Sequence, residues 1–373
     1  MSLVKKIDIL LIAYLLILVI AGLWPFTFNP KNNVHRTGDK PGISISKESI
    51  LYSEQLAPSL YRRLTSSNGF TIETAFYPDK TLTRGLEFIM ACGAVGRQYN
   101  FALAQQNNDL IFFLKTTSPP EGETIRTIRV QNILTASLRQ HLVVMCGNGI
   151  TRMYVNGSLV KQVDTPGTFS NWDKTARVFV GNDDSGEHSW EGVLYKIAVY
   201  EQSLLPDTFS SEKIGPDSNE ALLYYNFEMP GNERVIKDHG GQGFKQDLSI
   251  PEYFKVPGKR FLSLPGRNFV LSIGFLADNF INLLGFVPLG IIVFLRIRLS
   301  GGSVRRALYG NIIAGFTISL LLELSQTCLP LRSSSAVDLL NNSLGSIIGG
   351  YICMVLLKRG DLQNMLLISR KFK

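Results

Sequence analysis

Residues 337–357, VDLLNNSLGSIIGGYICMVLL, decide the fold class of this chain because they form one long apolar stretch. About 20 largely apolar residues are enough for an α-helix to cross a bilayer. Three further stretches have the same character, at 9–24, 275–295 and 308–322. The sequence therefore predicts four membrane-spanning helices, in agreement with a mean hydropathy of +0.11 and a charged fraction of only 18%.

The first stretch has the position of a signal peptide, with Lys5 and Lys6 before it. It ends in Leu23-Trp24-Pro25-Phe26, which is bulky where a cleavage site has small residues. We therefore expect an uncleaved helix that ends at the proline, with its aromatic residues at the membrane interface.

Basic residues flank the apolar stretches unevenly, and this predicts the orientation. They occur before the first helix, between the second and third, and after the fourth: Lys5, Lys6, Arg296, Arg298, Arg305, Arg306, Lys358, Arg359, Arg370, Lys371 and Lys373. The loop between the third and fourth has only Arg332. The positive-inside rule then places both termini in the cytoplasm and residues 29–265 outside.

The long segment between the first two helices has the composition of a soluble domain and the pattern of short strands. Residues 70–76 alternate between apolar and polar side chains, as a half-buried strand does. Asn156-Gly157 follows another such run and is a hairpin signal, since a type I′ turn needs positive φ at both central residues. Many short strands with frequent turns indicate a β-sandwich.

The order of these strands resembles the laminin G, concanavalin A-like jelly roll. The residues that carry the resemblance are Phe70-Thr71-Ile72-Glu73, Tyr154-Val155-Asn156-Gly157, Val180-Gly181-Asn182 and Trp190-Glu191-Gly192. The resemblance implies a module that binds glycans or proteins. Some relatives are glycoside hydrolases, which need two carboxylates in one cleft. No strand of this sequence has an E-x-D-x-x-E pattern.

Several residues of the sandwich are candidates for binding. Trp172 is a candidate for stacking on a sugar, while Trp190, which opens a strand, is expected to pack inside. Asp183 and Asp184 lie in a glycine-containing loop, where clustered oxygens suit Ca²⁺. A solvated hairpin tip is the interpretation that we favour for this loop. Apart from this calcium, the sequence predicts no cofactor.

Cys92 and Cys146 fall in strands of a domain that we expect in an oxidising compartment. They are candidates for a disulfide. The alternative is two buried free thiols that act as small apolar side chains. The sequence leaves both open.

The apolar helices also carry polar residues, grouped by helical spacing towards one end of the bundle. These groups are Asp278 and Asn282, Glu323 and Gln326, and Asp338 and Asn342, with Arg332 in the loop nearby. Polar groups and Gly345-x-x-x-Gly349 hold membrane helices together. Ionisable residues at membrane depth also mark functional sites. We expect all seven polar residues to converge, so that the carboxylates either share Arg332 and the asparagine amides or open into a water-filled mouth.

The bundle resembles the VanZ-like family. The match runs through Trp24-Pro25-Phe26, Asp278, Asn282, Pro288-Leu289-Gly290, Glu323-x-x-Gln326, Leu329-Pro330-x-Arg332 and Asp338-Leu339-Leu340-Asn341-Asn342-x-x-Gly345-x-x-x-Gly349. In this chain the sandwich is inserted between the family's first and second helices. The resemblance implies a bacterial envelope role, one member being associated with low-level teicoplanin resistance, and supplies no established reaction.

These features predict a mixed fold, a four-helix transmembrane bundle (α) with an inserted extracytoplasmic all-β jelly-roll sandwich. The expected divisions are 1–28 for the first helix, 41–260 for the sandwich, 268–357 for the other helices and 358–373 for a basic cytoplasmic tail. We expect a multi-pass protein of the bacterial cytoplasmic membrane that contacts membrane lipid, binds an envelope glycan or protein and binds no nucleic acid. The oligomeric state stays open.

The alternative function is an enzyme or transporter for an envelope lipid or lipid-linked precursor. In it, Glu323 or Asp338 would be the acid or base and Arg332 the phosphate contact. The sandwich would then select the substrate.

Overall fold

A computed structural model describes residues 2–36, 41–67, 69–83, 85–96, 98–201, 218–230, 234–257, 261–264, 273–330, 332 and 334–358. The chain forms two compact units, which are described separately. Residues 29–259 form one unit, and residues 1–28 with 260–373 form the other. The predicted basic tail after Lys358 lies outside the described residues.

The first unit is a sandwich of two antiparallel sheets. The first sheet contains the described strands β1 (His35–Arg36), β2 (Ile43–Ile45), β4 (Gly69–Pro78), β9 (Gln140–Gly147), β10 (Ile150–Val155), β11 (Ser158–Asp164), β13 (Gly192–Tyr200) and β14 (Ala221–Asn226). The second contains β3 (Leu51–Gln55), β5 (Glu87–Gly93), β6 (Tyr99–Gln106), β7 (Asp109–Leu114), β8 (Arg126–Val130), β12 (Arg177–Val180), β15 (Val235–Ile236) and β16 (Leu248–Ser249). The predicted jelly-roll type of sandwich is confirmed.

The strand order of the first sheet positions the candidate site described below. It runs β1-β2-β13-β4-β9-β10-β11, and β14 pairs with β13 beside β2. Phe70, Ile72 and Phe76 of β4 point into the core between the sheets, as their alternation predicts. Asn156 and Gly157 have φ of 50° and 81°, so the predicted hairpin turn is confirmed.

Two further features complete the sandwich. A nine-residue helix, α2 (Pro58–Ser66), buries Leu60 and Leu64 against the core. The short strands after β13 divide between the two sheets: β14 pairs with β13 in the first sheet, and β15 pairs with β16 in the second.

The second unit is a bundle of helices that match the four predicted spans. Four of its described helices are long and apolar enough to cross a membrane. They are α1 (Leu3–Leu23), α3 (Ile273–Leu299), α4 (Val304–Gln326) and α5 (Ala336–Lys358).

The glycines of α5 let it pack directly on the backbone of α3. A Cβ atom at Gly345 would lie 2.0 Å from the carbonyl oxygen of Leu283, and one at Gly349 would lie 2.0 Å from that of Val287. Atoms at such separations overlap, so only glycine permits this approach. The predicted close-packing role of Gly345-x-x-x-Gly349 is therefore confirmed.

Candidate functional site

The face of the first sheet that points away from the sandwich core carries five tyrosines, and we call it the tyrosine face. Strand register places on it Tyr77, Tyr154, Tyr195, Tyr200 and Tyr224, together with Glu73, His141 and Lys196. Tyr195 and Tyr200 are buried, whereas Tyr77, Tyr154 and Tyr224 are half-buried. The face therefore presents aromatic planes and hydrogen-bonding groups side by side.

A β-bulge brings two consecutive side chains onto this face. The pairing of β13 with β4 shifts between Leu194 and Lys196, so Tyr195 has no residue of its own opposite it. Tyr195 packs with Ala75 and Val193, while Lys196 reaches Glu73. Regular alternation would have sent one of the two into the core.

Glu73 is the buried centre of the tyrosine face and contacts three polar groups. Its Oε1 lies 2.8 Å from Nε2 of His141, and its Oε2 lies 2.7 Å from Nζ of Lys196. The hydroxyl of Tyr200 donates to Oε2 over 2.9 Å. Because the carboxylate is fully buried, together with Lys196 and Tyr200, these contacts replace the water that it loses.

The partners of Glu73 set its charge. Burial by itself raises the pKa of a carboxyl, but the hydrogen bonds from His141 and Lys196 outweigh burial, and the pKa of Glu73 lies below its ordinary value. Burial lowers the pKa of Lys196, and the Glu73 charge opposes that shift. Burial and the same carboxylate raise the pKa of Tyr200.

The sequence does not predict this cluster, although it contains one signal for it. Lys196 stands in the apolar strand Gly192–Tyr200, and a lysine that a sheet buries needs a carboxylate nearby. Which carboxylate it pairs with depends on strand register, because Glu73 is more than a hundred positions away in sequence.

A rim of charge adjoins the tyrosines. The Arg139 guanidinium lies 4.0 Å from the ring centroid of Tyr195 and pairs with Glu228 over 3.0 Å. The Tyr77 and Tyr195 rings are 6.2 Å apart. This end of the face therefore combines exposed charge with half-buried aromatic surface.

In the bundle, two of the predicted polar residues cap the C-terminal end of α1. The last carbonyls of a helix lack intrahelical partners. Gln326 donates from Nε2 to the carbonyl of Gly22 over 3.0 Å, and Arg332 donates from Nη2 to that of Trp24 over 2.9 Å. No ion pair joins Arg332 to Glu323 or Asp338, all three being described residues. Of the two expected arrangements, the carboxylates do not share Arg332, which donates to a backbone carbonyl instead.

The other polar residues line the facing sides of α3, α4 and α5. Glu323 accepts from the backbone N–H of Ser335 over 2.8 Å and so caps the start of α5. Asn342 donates to Ser319 over 3.0 Å, and Asn282 lies within hydrogen-bonding reach of Asp338. The predicted convergence therefore holds for this group, while Gln326 and Arg332 turn to α1.

Family models match both parts of the chain. Residues 53–208 match the concanavalin A-like lectin/glucanases superfamily, and residues 193–358 match VanZ/LLP1. The two matched segments overlap at residues 193–208, which include most of strand β13. This chain joins a concanavalin A-like domain to a VanZ-like domain. With its four long apolar helices, it is a membrane protein.

Solved structures with similar folds cover the concanavalin A-like domain. A protein described as carbohydrate-binding, from Bacteroides ovatus, is 18% identical with a TM-score of 0.42, over 57% of this chain and 58% of its own. The SAP-like pentraxin of Limulus polyphemus is 16% identical with a TM-score of 0.36, over 58% and 93%. The CBM40 of Ruminococcus gnavus IT-sialidase, bound to α2,3-sialyllactose, is 17% identical with a TM-score of 0.35, over 45% and 94%. No curated protein matches the chain.

Within the concanavalin A-like domain, the Asp183–Asp184 loop is neither a solvated tip nor a metal centre of the expected kind. Protein donors occupy the Asp183 carboxylate, including Tyr99, Ser185 and His188 at 2.8, 2.6 and 2.8 Å. Asp184 accepts from the backbone N–H of Gly96. Among the described residues, no group of three or more His, Cys, Asp or Glu side chains has the arrangement of a metal site. The protein donors therefore occupy the Asp183 oxygens that a calcium ion would need.

The ionisation of this loop follows its contacts. The hydrogen bond from Asp183 raises the pKa of His188 above its ordinary value. Burial, reinforced by the Asp183 charge, raises the pKa of Asp184 to about 6. The loop therefore titrates in mildly acidic solution.

Two other expectations for the domain concern the core. Trp172 is buried, packs against Phe70, Phe101 and Phe169, and donates from Nε1 to the carbonyl of Lys115 over 2.7 Å. It is therefore not available to stack on a sugar, because its ring is packed inside the core. Trp190 is fully buried, which confirms the expected core position.

The two core cysteines lie in different sheets. Cys92 belongs to β5 and Cys146 to β9, both thiols are free, and both side chains are buried. Of the two sequence alternatives, the structure has the free thiols rather than the disulfide. Burial raises the pKa of each thiol to about 12.

Proposed function

We propose that this protein presents a glycan-binding concanavalin A-like domain on the outer side of a bacterial cytoplasmic membrane, with the VanZ-like bundle as its anchor. The tyrosine face carries the proposal. Aromatic rings pack on the apolar faces of sugars, and polar groups beside them bind hydroxyls. Tyr77, Tyr154 and Tyr224 offer such rings, and Arg139 and His141 offer the polar groups.

A binding function suits this face better than hydrolysis. Glycoside hydrolysis uses two carboxylates, one of which must exchange a proton during the reaction. Glu73 is the one buried carboxylate among the described residues of the face, and Lys196 and His141 hold it ionised. An ionised carboxylate in this arrangement stabilises the sheet and fixes the side chains around it.

The bundle gives less support to the alternative of chemistry on a lipid-linked precursor. Glu323 is 1% exposed and accepts from the Ser335 backbone, so it acts as a helix cap. Arg332, the proposed phosphate contact, donates to Trp24 instead. These contacts support anchoring.

A glycan array probed with the full chain in nanodiscs tests the proposal. We expect binding that Tyr154→Ala reduces about tenfold, since stacking contacts contribute about 1 kcal/mol or more. Tyr253→Ala is the matched control, because Tyr253 is exposed and lies outside the first sheet. Equal binding by both variants, or capture of an envelope protein in place of any glycan, would contradict the glycan assignment.

Thiol labelling tests the orientation. In a Cys328→Ser background, which removes the exposed native thiol, single cysteines replace Ser2, Ser158 and Gly301. From the basic-residue distribution we expect an impermeant reagent added outside intact cells to label only position 158. Labelling at position 301 from outside would contradict this orientation and indicate the opposite one.

A further inference from the structure

One end of the bundle, where α1 and α4 end and α5 begins, is rich in hydrogen-bond acceptors. Its carboxylates form a series from exposed Asp278 through half-buried Asp338 to buried Glu323. Asp338 interacts electrostatically with each of the other two. None of the three forms an ion pair with a residue that the structure describes, so their charges have no described partner.

Two side-chain donors near these carboxylates, Arg332 and Gln326, are directed elsewhere. Arg332 donates to the Trp24 carbonyl from both Nε and Nη2. Gln326 donates to Gly22 from Nε2, which leaves its Oε1 as a buried acceptor without a partner in the described part of the chain. That orientation is required, since the Gly22 carbonyl accepts only from the amide nitrogen.

Asn342 adds an independent sign of a missing donor. It lies one helical turn beyond Asp338 on α5, and it pairs with Ser319, one turn before Glu323 on α4. The pair therefore forms the floor of the carboxylate cluster. Asn342 is 5% exposed, yet its Oδ1 has no hydrogen-bond partner among the described residues. A buried amide oxygen in this state is destabilising unless a ligand or water donates to it.

We infer that this end of the bundle binds a primary ammonium group, carried by a lipid headgroup or by a soluble amine. An ammonium supplies three N–H donors and one positive charge. It matches carboxylates that have no described counter-charge and amide oxygens that have no described donor. The site involves neither the tyrosine face nor any glycan, so it is independent of the proposed function.

Other ligand classes fit the cluster less well. A phosphate or carboxylate would be repelled by Asp278 and Asp338, because Arg332 is engaged at α1. A trimethylammonium group has the charge but no N–H to donate to Asn342. Comparing a primary ammonium with a trimethylammonium group therefore distinguishes recognition of the N–H donors from attraction of the positive charge.

Lipid retention by the full chain provides the test. The protein is placed in nanodiscs of equal parts phosphatidylethanolamine and phosphatidylcholine, extracted, and examined by native mass spectrometry. The two headgroups differ in three N-methyl groups. We expect retained phosphatidylethanolamine to exceed phosphatidylcholine about tenfold, as hydrogen bonds to charged groups imply. Excess ethanolamine should remove the lipid if a soluble amine also binds, and should leave it if the lipid is required.

Variants assign the preference to the cluster. Asp338→Asn and the exposed Asp278→Asn should each abolish it, and the latter leaves the interior packing unchanged. Asp8→Asn is the matched control, because Asp8 pairs with Arg296 at the opposite end of the bundle. Equal retention of the two lipids by the unaltered protein would overturn the inference. So would a preference that survives both variants.

Discussion

The sandwich and the bundle both bury polar side chains, but they compensate for burial in different ways. In the sandwich, buried carboxylates meet basic side chains, Glu73 with Lys196 and Asp183 with His188. In the bundle, the described carboxylates at the Glu323 end meet amides, hydroxyls and backbone N–H groups. A sheet brings distant strands together and can pair opposite charges. A few apolar helices offer mainly caps and small polar groups.

Breaking the Glu73 pairing should produce the largest effect. Glu73→Gln leaves the Lys196 ammonium buried without its counter-charge, and we expect a loss of about 3 kcal/mol of unfolding free energy. Urea unfolding followed by the fluorescence of buried Trp172 and Trp190 measures it.

Two further variants make that experiment specific. Glu54→Gln breaks the exposed Glu54–Arg177 pair and should change stability by less than about 1 kcal/mol. Glu73→Gln combined with Lys196→Met should recover most of the loss, because no unpaired charge remains. Equal losses in Glu54→Gln and Glu73→Gln would show that the buried pairing does not matter.

The glycine contact of the bundle should give the next largest effect. Gly349→Ala places a Cβ against the α3 backbone, so we expect about 1–3 kcal/mol of destabilisation and a lower melting temperature of the helical unit. Gly285→Ala is the matched control, since a Cβ there meets no atom within 4 Å. Circular dichroism at 222 nm follows the helices, and identical melting of the two variants would contradict the contact.

Proton linkage in the Asp183–Asp184 loop should give a smaller effect. The folded-state pKa of Asp184, about 6, lies above the ordinary value of 3.8 for an aspartate. The folded domain therefore binds the proton more tightly, and its stability falls as pH rises from about 4 through 6. The raised pKa of His188 acts in the same direction at somewhat higher pH.

Asp184→Asn should flatten this dependence and stabilise the domain at neutral pH. Thermal melting at pH 5 and pH 7.5 compares it with Asp164→Asn, which alters an exposed aspartate of β11. If the melting temperature of Asp184→Asn changed with pH as much as that of the unaltered protein, a group other than Asp184 would bind the proton.

The thiols should give the smallest effect. Because Cys92 and Cys146 are free and buried, a reducing agent should leave the melting temperature unchanged, and alkylation should require unfolding. A disulfide at these positions would contribute about 2–4 kcal/mol. A drop in melting temperature on reduction would therefore restore the disulfide alternative.

Local patterns predicted the elements well and the contacts of the site poorly. Residues 70–76 were expected as a strand and lie in one, β4, since their alternation alone favours it. The bulge at Tyr195, which puts Lys196 beside Glu73, depends on the partner strand. The burial of Trp172 could not be predicted either, because the sequence pattern of a loop tryptophan is the same whether it contacts a sugar or the core.

The sequence by itself determined the four helices, the sandwich and the glycine contact, because hydrophobic period, turn chemistry and helical spacing act over neighbouring residues. Only the tertiary structure decided that Glu73 pairs with Lys196. It also decided that Arg332 donates to the Trp24 carbonyl at the end of α1 rather than pairing with the carboxylates. These pairings join residues distant in sequence. Their choice depends on which acceptor lies within about 3 Å once the elements have packed.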